Sequence, residues 1–305
     1  MKMFNKLIGQ DEVKSRLGFY ANLFNAGYIV PPIMLNAAKG LGKTEFAKQF
    51  HAATKKGDRK LIEINCGTVR NTEQFFEQLF MPQIAGKEVT VLFDECHSLP
   101  KDLTDVFLTA FNVEGVKSKQ VSIGEGLVTF EFDKQIYLFA TTELHKLFAP
   151  LKDRLTIIDF KPYSDSELAD IMKMKVDWLT YEHGVLEAMV KTVRGNARSA
   201  IKRVLQVKSW CELNRISKVC HNEWNKMRSK FGILPYGLMD IEVQILQALK
   251  ERGTCSLQML SAITGMSRQA IQLEAENNLL RKGFMEIDGK RKITNKGVEI
   301  LKTIK

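Results

Sequence analysis

Lys39-Gly40-Leu41-Gly42-Lys43-Thr44 stands between the apolar run Ile33-Met34-Leu35 and the helix-like run Glu45-Phe46-Ala47-Lys48-Gln49-Phe50. A strand, a glycine-rich turn and a helix start together aim backbone N–H groups and the positive end of a helix at one anion. In such a loop Lys43 can reach the β- and γ-phosphates, and the Thr44 hydroxyl can ligate Mg²⁺. The stretch therefore predicts an α/β fold with a binding loop for a nucleoside triphosphate such as ATP.

A second motif follows further along the chain. Val89-Thr90-Val91-Leu92-Phe93 is β-branched and largely apolar, which predicts a buried parallel strand, and it ends in Asp94-Glu95. Ligands bind at the carboxyl ends of strands in open α/β sheets. We expect Asp94 to hold Mg²⁺ and Glu95 to polarise the water that attacks the γ-phosphate. Two acids after a strand are also typical of a solvated strand end, but beside the lysine loop they favour hydrolysis.

The composition is that of a globular protein with room for two or three domains, since 45% of the 305 residues are hydrophobic and 26% are charged. No run approaches the ~18 apolar residues of a membrane helix, and residues 1–12 carry no signal-peptide core. We therefore expect a cytoplasmic protein without membrane contact. The formal net charge of +10 favours a polyanionic partner, and residues 281–305 hold eight Lys or Arg against three Asp or Glu.

The cysteines are scattered and odd in number. They are Cys66, Cys96, Cys211, Cys220 and Cys255. They form no C-x-x-C pair and no metal-ligand spacing with the histidines, so we expect them to be reduced and structural. Cys96-His97 lies beside the acids, but adjacent residues at a strand end point apart, which argues against a Cys–His nucleophile.

Residues 1–160 alternate strand-like and helix-like patterns, which predicts a nucleotide-binding domain with a parallel sheet and helices on both faces. The strand-like run 136–140 ends in Thr141-Thr142, and we assign Thr142 to sensing the γ-phosphate. Residues 121–132 predict a β-hairpin around a glycine turn. Two interpretations of this hairpin are open, an extra pair of edge strands or an arm that contacts a partner.

Residues 161–230 are helical and predict a small lid domain. Ser164 and Glu167 form a capping-box pattern that begins one helix, and the run Arg194-Gly195-Asn196-Ala197-Arg198 opens another, with Arg198 on its first turn.

Residues 231–305 predict a winged helix. Helices are expected over 240–250, 256–265 and 267–283, followed by a hairpin that turns at Asp288-Gly289 and returns through the basic run Lys290-Arg291-Lys292. Lysine-rich hairpins suit contact with DNA phosphates, whereas Glu274 and Glu276 on the third helix disfavour reading of bases. A solvated basic strand is the alternative for the wing.

These motifs, in this order, resemble the RuvB family of AAA+ Holliday-junction branch-migration motors. The segments that carry the resemblance are Ile8-Gly9-Gln10, Gly40-Leu41-Gly42-Lys43-Thr44, Asp94-Glu95 with His97, Ile123-Gly124-Glu125-Gly126, Ala140-Thr141-Thr142, Pro150-Leu151-Lys152-Asp153-Arg154, Gly195-Asn196-Ala197-Arg198 and the C-terminal residues from 231. The family uses them as an initial motif, phosphate loop, Walker B acids, inserted hairpin, sensor 1, arginine-finger segment, sensor 2 and winged helix.

The resemblance implies a hexameric ring with ATP and Mg²⁺ between subunits, acting on double-stranded or branched DNA. It implies that Arg154 reaches a neighbour's γ-phosphate and that Tyr163 and Arg198 close over the subunit's own nucleotide. A surface ion pair with Asp153 is the alternative for Arg154. The hairpin from Ile123 to Phe132 corresponds to the arm by which the family binds its junction-recognition partner RuvA.

The chain departs from the family pattern in the phosphate loop, in the arginine-finger segment and in the hairpin. Ala37-Ala38-Lys39 stands where the family has glycine and two prolines, and Lys152 replaces an arginine. Losing one glycine costs at most on the order of 1 kcal/mol of backbone strain and removes no N–H donor. The hairpin is also shorter than usual, which fits a phage or mobile-element version with its own partner.

Three functions compete at this point. The first is an ATP-driven translocase or helicase on double-stranded DNA, acting at branched DNA. The second is a nucleotide-switched loader or scaffold, such as a helicase loader, clamp-loader subunit or transposition regulator. The third is a transcription regulator, which the lack of a base-reading surface disfavours.

Overall fold

The computed structural model describes residues 4–54, 58–112, 115–124 and 126–304. Their contacts divide the chain into two compact units, Met1–Tyr163 and Ser164–Lys305. Glu125, at the predicted hairpin turn, lies outside the described residues. Within the described ranges, no helix has the length and apolar composition that crossing a bilayer requires.

The first unit is built on a parallel sheet. Its strands are β1 (Ile33–Asn36), β2 (Lys60–Asn65), β3 (Val89–Asp94), β4 (Ser118–Ile123), β5 (Gly126–Glu131), β6 (Gln135–Thr141) and β7 (Thr156–Asp159). The strands β2, β3, β6, β1 and β7 lie side by side in that order and are all parallel. The predicted parallel sheet is confirmed. Because β6 lies between β1 and β3, the residues that follow these three strands meet at one edge of the sheet.

Helices cover both faces of this sheet, as predicted. They are α1 (Asp11–Asn25), α2 (Lys43–Thr54), α3 (Thr72–Gln74, continued by a π-helical segment Phe75–Ile84), α4 (Lys101–Ala110) and α5 (Ala149–Lys152), with 3₁₀ turns at Cys66–Thr68, Cys96–Ser98 and Leu144–Lys146. Side chains alternate across β3. On one face, the Thr90 hydroxyl lies 3.1 Å from His51 Nδ1 of α2. On the other face, the Phe93 ring packs against Phe107 of α4, with ring centroids 5.2 Å apart.

An aromatic cluster fills the α4 side of the sheet. Its buried rings are Phe75, Phe76, Phe80, Phe93, Phe107, Phe111, Phe130, Phe132, Tyr137 and Phe139. Ring pairs of this kind contribute about 0.5–1.5 kcal/mol each beyond the burial of their area. The cluster joins the central strands to α4 and to the π-helical segment.

The predicted hairpin is present as β4 and β5, which pair antiparallel from Ser118↔Glu131 to Ile123↔Gly126. The two strands form a sheet of their own and do not extend the parallel sheet. Phe130 is fully buried in the aromatic cluster, while Leu127 near the turn is 67% exposed. The hairpin therefore does not extend the parallel sheet, and its contact with a partner stays a prediction.

The second unit begins with helices. They are α6 (Asp165–Lys175), α7 (Val185–Val190), α8 (Ala197–Asn214) and α9 (His221–Lys230), and the short strands β8 (Thr180–Tyr181) and β9 (Lys218–Val219) pair in parallel. The predicted capping box of Ser164 and Glu167 is present at the start of α6. Asn196 caps α8 by accepting a bond from the Ser199 N–H, which places Arg198 on the first turn as expected.

The remainder of the second unit is a winged helix. Its elements are α10 (Asp240–Arg252), β10 (Thr254–Cys255), α11 (Leu257–Thr264), α12 (Arg268–Ala270), a π-helical segment (Ile271–Glu276), α13 (Asn277–Lys282), β11 (Met285–Asp288), β12 (Lys290–Ile293) and α14 (Asn295–Thr303). The three predicted helices and the hairpin are confirmed. The sequence analysis missed β10, which pairs with β12 and completes a sheet in the order β10-β12-β11, and it missed α14.

Candidate functional site

The loop between β1 and α2 has the backbone form of a phosphate cradle. Gly40 and Gly42 have φ angles of +83° and +99°, which side chains rarely adopt. Ala37 is absent from the described residues with positive φ, so alanine replaces the family's glycine here without strain. Its N–H donates to the Thr141 carbonyl at 3.2 Å, which prolongs the pairing of β1 with β6.

Lys43 is the first residue of α2 and is 8% exposed. Its Nζ donates to the Ala37 carbonyl at 2.9 Å, so the loop curves around the ammonium group. Thr44, the next residue of the helix, is half-buried. A cation at a helix N-terminus, inside a ring of backbone groups, favours a bound phosphate.

Tyr163 contacts this loop directly. Its hydroxyl donates to the Leu41 carbonyl at 3.1 Å. A Cβ at Gly42 would lie 3.5 Å from the Tyr163 hydroxyl oxygen. The segment before Tyr163 is held by Gln10 of the initial motif, whose Oε1 accepts a bond from the Lys161 N–H at 3.0 Å. The structure thus gives Tyr163 a role in shaping the loop, while its contact with a nucleotide stays a prediction.

The two acids occupy the end of β3 as predicted. Asp94 is the last residue of the strand, and its Oδ1 accepts a bond from the Glu95 N–H at 3.0 Å. Glu95 has a φ of +52°, in the left-handed region. Such a conformation costs a non-glycine residue roughly 1–2 kcal/mol and occurs often at functional sites.

Two neighbours hold the Glu95 carboxylate. The Thr142 hydroxyl donates to Glu95 Oε2 at 3.2 Å, and His97 Nδ1 lies 3.5 Å from the same oxygen. His97 Nδ1 also lies 2.9 Å from the Thr141 hydroxyl, and its Nε2 lies 3.1 Å from Glu143 Oε2. His97 therefore bridges two carboxylates at the carboxyl edge of the sheet.

Glu143 is a member of this network that the sequence analysis missed. A hydrogen bond from Lys146 holds the pKa of the Glu143 carboxyl below its usual value, so this group stays ionised beside His97. The available signal was its position, as the first acid after the Thr-Thr end of a strand that faces Walker B.

The oxygen donors at this edge suit Mg²⁺. Thr44 supplies a hydroxyl and Asp94 a carboxylate, which are the hard ligands that Mg²⁺ prefers. Among the described residues, no group of three or more His, Cys, Asp or Glu is arranged to hold a metal.

Cys96 takes no part in this chemistry, as expected. Its Sγ lies 3.9 Å from the Met34 Sδ in the core, away from His97. Burial raises the pKa of the Cys96 thiol to about 12, so it is not a thiolate at neutral pH. All five cysteines are free.

Arg154 is bonded to two backbone carbonyls of its own chain. Its Nε donates to the Leu108 carbonyl at 2.9 Å and its Nη1 to the Pro150 carbonyl at 2.7 Å. The alternative ion pair with Asp153 does not occur among the described contacts. Leu108 is near the C-terminal end of α4, where carbonyl groups favour a cation. Arg198 in the second unit is exposed on the first turn of α8.

The basic wing is divided between two roles. Lys290 and Lys292 on β12 are exposed, and Lys292 Nζ is 3.9 Å from Glu286. Arg291 instead faces inward with its side chain 13% exposed, and it forms a bidentate pair with Glu276 at 2.7 and 3.2 Å. The prediction that Arg291 contacts DNA is therefore corrected, because its guanidinium is already used to join the wing to the preceding helix.

The same pair corrects the interpretation of the third helix of the winged helix. Glu276 is 4% exposed, so its charge does not face a nucleic acid. Glu274 remains exposed. The objection to base reading therefore rests on Glu274 alone.

A buried polar network lies beside the sensor 2 motif. Glu242 of α10 is fully buried and accepts bonds from Arg194 Nη2 at 2.6 Å and from Asn278 at 3.0 Å. Arg194 also donates to the carbonyls of Gly237 and Glu274. The residue that precedes Gly195-Asn196-Ala197-Arg198 is thus bonded to three segments of the winged helix.

Comparison with known families agrees with this arrangement. Residues 33–163 match the ATPase family associated with various cellular activities (AAA). Residues 235–302 match the RuvB C-terminal winged helix domain. The chain therefore carries an AAA domain and a RuvB-type C-terminal winged helix domain.

Relatives within the RuvB family extend over most of the chain. The Holliday junction branch migration complex subunit RuvB of Mycoplasma genitalium is 26% identical, across 98% of this chain and 96% of the relative. The subunit of the same name from Wolbachia sp. subsp. Brugia malayi is 26% identical, across 88% of this chain and 82% of the relative. The structure of the Thermotoga maritima RuvB Holliday junction branch migration motor superposes with a TM-score of 0.77 and 22% identity, covering 99% and 97% of the two chains.

Proposed function

We propose that this chain is an ATP-driven motor on double-stranded DNA that drives branch migration of Holliday junctions or related branched DNA. The observation that carries the proposal is the position of Glu95, strained and held by Thr142 and His97, at the sheet edge that also ends the strand of the phosphate loop. Its support comes from the family and from relatives whose names state that activity.

The residues divide the work of hydrolysis between them. Lys43 and the N–H groups of Gly40, Leu41 and Gly42 bind the β- and γ-phosphates of ATP. Bound Mg²⁺ would neutralise charge on the phosphates, with Thr44 and Asp94 as its protein ligands. Glu95 orients and polarises the attacking water, and Thr142 reports the γ-phosphate to Glu95 through their hydrogen bond.

Arg154 couples ATP hydrolysis between neighbouring subunits. In a homo-oligomeric ring, for which we propose six subunits, Arg154 exchanges its bonds to the Leu108 and Pro150 carbonyls for a neighbour's γ-phosphate. That exchange would supply a cation mainly in the transition state. Arg198 and Tyr163 act on the subunit's own nucleotide.

Two exposed lysines of β12 and the hairpin contact other molecules. Lys290 and Lys292 bind the DNA backbone, and the hairpin from Ile123 to Phe132 binds a junction-recognition protein that resembles RuvA. Because its substrate is DNA, we place this activity in the cytoplasm of a bacterial or phage-infected cell.

The test combines ATP hydrolysis, oligomer size and strand exchange on a synthetic four-way junction. Lys43→Ala is expected to abolish ATP binding, because it removes the cation that neutralises phosphate charge. Glu95→Gln is expected to bind ATP and trap it unhydrolysed, while Glu73→Gln, an exposed acid of the same unit, keeps full turnover.

Two outcomes decide between the candidate functions. Hydrolysis stimulated by branched DNA, together with junction migration, supports the motor. ATP-dependent assembly without DNA stimulation or migration would replace it by the loader or scaffold. Equal hydrolysis by wild type and Glu95→Gln would remove Glu95 from its proposed role.

A further inference from the structure

The second unit contains a cavity of about 350 Å³ that the proposed function does not use. It lies between α8 and the chain segment 231–239. Its polar lining side chains are those of Thr192, Arg194, Ser199, Lys202, Arg203 and Gln206. Three of them are basic and none is acidic, so the cavity has a positive lining.

The polar side of the cavity is one face of α8. Ser199, Lys202, Arg203 and Gln206 follow the spacing i, i+3, i+4, i+7, which places them together along the helix. The core face of α8 carries different residues, Ala200, Val204, Val207 and Cys211, which are buried. The cationic stripe is therefore not a by-product of packing the helix into its unit.

Two of the cations lack an anionic partner. Arg194 is neutralised by Glu242, whereas Lys202 forms no ion pair with any residue that the structure describes. Arg203 donates from Nη1 to the Gln206 amide oxygen at 3.0 Å, and its buried Nε has no hydrogen-bond partner among the described atoms.

The Arg203 guanidinium is thus partly enclosed, with one neutral partner and one enclosed N–H that is not bonded among the described atoms. Burial lowers the pKa of Arg203, and no carboxylate lies near enough to raise it. Enclosing a cation without an anionic partner is unfavourable, so an anion bound here would stabilise the site.

We propose that this cavity binds a phosphate group, held by Arg203 and Lys202 with the Ser199 hydroxyl as a further donor. The planar guanidinium matches two oxygens of a phosphate, and the lysine adds a point charge. The phosphate comes either from the DNA backbone or from a free phosphate ion. The site shares no residue with the phosphate loop and does not depend on ATP hydrolysis.

The first experiment measures the binding of inorganic phosphate by calorimetry. The full chain carries Lys43→Ala, so that the phosphate loop does not contribute. Adding Arg203→Gln or Lys202→Gln is expected to weaken phosphate binding by about tenfold or more, the usual value of one charge-assisted hydrogen bond. Lys208→Gln is the matched control, because Lys208 lies on α8 outside the cavity and pairs with Glu212.

Lys202→Gln separates loss of phosphate binding from loss of folding, because Lys202 is exposed and its replacement does not disturb packing. The three tryptophans, Trp178, Trp210 and Trp224, all lie in this unit and report its folding by fluorescence. If folded Lys202→Gln and Arg203→Gln proteins bind phosphate as tightly as the Lys208→Gln control, the proposal is overturned.

The second experiment identifies the source of the phosphate. Binding of a short DNA duplex is measured against salt concentration for Lys202→Gln and Lys208→Gln, each in the otherwise unaltered chain. A slope of log K against log salt that is flatter by about one unit in Lys202→Gln alone assigns the site to the DNA backbone. An unchanged slope, with weakened phosphate binding in the first experiment, assigns it to free phosphate.

Discussion

Glu242 is expected to be the most sensitive charged position of the second unit. It is fully buried, and its carboxylate accepts bonds from Arg194, from Asn278 and from the Met239 N–H, the last at 2.7 Å. Glu242→Gln keeps the shape of the side chain but leaves the guanidinium without its anion. Breaking a buried pair in this way costs about 3–5 kcal/mol.

The lower end of that range applies here. The Arg194 side chain is 27% exposed and keeps its bonds to the carbonyls of Gly237 and Glu274, so water and backbone compensate part of the lost charge. We expect the free energy of unfolding to fall by roughly 3 kcal/mol, which lowers the midpoint temperature on the order of 10 °C.

The assay is urea and thermal unfolding followed by tryptophan fluorescence, which reports the second unit alone. Glu212→Gln is the control, because Glu212 and Lys208 form an exposed pair at 3.6 Å that is expected to contribute less than about 1 kcal/mol. Arg194→Gln and the double variant complete a double-mutant cycle. The double variant should lose less stability than the sum of the losses in the two single variants. If Glu242→Gln is no less stable than Glu212→Gln, the network contributes nothing and the reasoning fails.

Further predictions concern the loop, the arginine finger and the wing. Gly42→Ala forces a side chain onto a φ of +99° and is expected to weaken ATP binding roughly tenfold, measured by nucleotide titration; unchanged affinity would contradict the cradle geometry. Arg154→Ala should bind ATP normally but lose hydrolysis by about 10³-fold or more, and mixing with subunits that cannot bind ATP should restore part of it. A monomer that hydrolyses ATP at the wild-type rate would exclude this role. Lys290→Gln with Lys292→Gln should flatten the salt dependence of DNA binding by about two units, whereas Arg291→Gln should instead lower the stability of the winged helix by roughly 3 kcal/mol. Equal effects of the two changes on the salt slope would refute the division of the wing.

Local patterns were sufficient to predict most of the fold. The phosphate loop, the acid strand and the capping box each depend on residues within one turn or one strand, and all three appear in the structure where the pattern placed them. The strand β10 was missed because two residues carry no periodicity to detect.

Charges that pair over long distances were harder to predict. Arg291 and Glu276 are neighbours only after the wing folds back on the helix, so composition assigned both to the surface. Period-two alternation was an available signal, since in the run Lys290-Arg291-Lys292 the middle residue must face opposite to its neighbours. Arg194 gave no such signal, because its partner Glu242 lies 48 residues further along.

The anchoring of the hairpin has a consequence for how such a protein can evolve. Phe130 and Phe132 tie the hairpin to the aromatic cluster, and Val121, Ile123 and Val128 also pack against it, whereas Leu127 is 67% exposed. Selection for a folded ATPase therefore acts on the inward-facing residues of the hairpin, whereas under the proposed function selection for a particular adaptor acts on its exposed residues. A lineage of the proposed motor can then exchange one adaptor for another by drift at a few exposed positions, without rebuilding the nucleotide-binding domain.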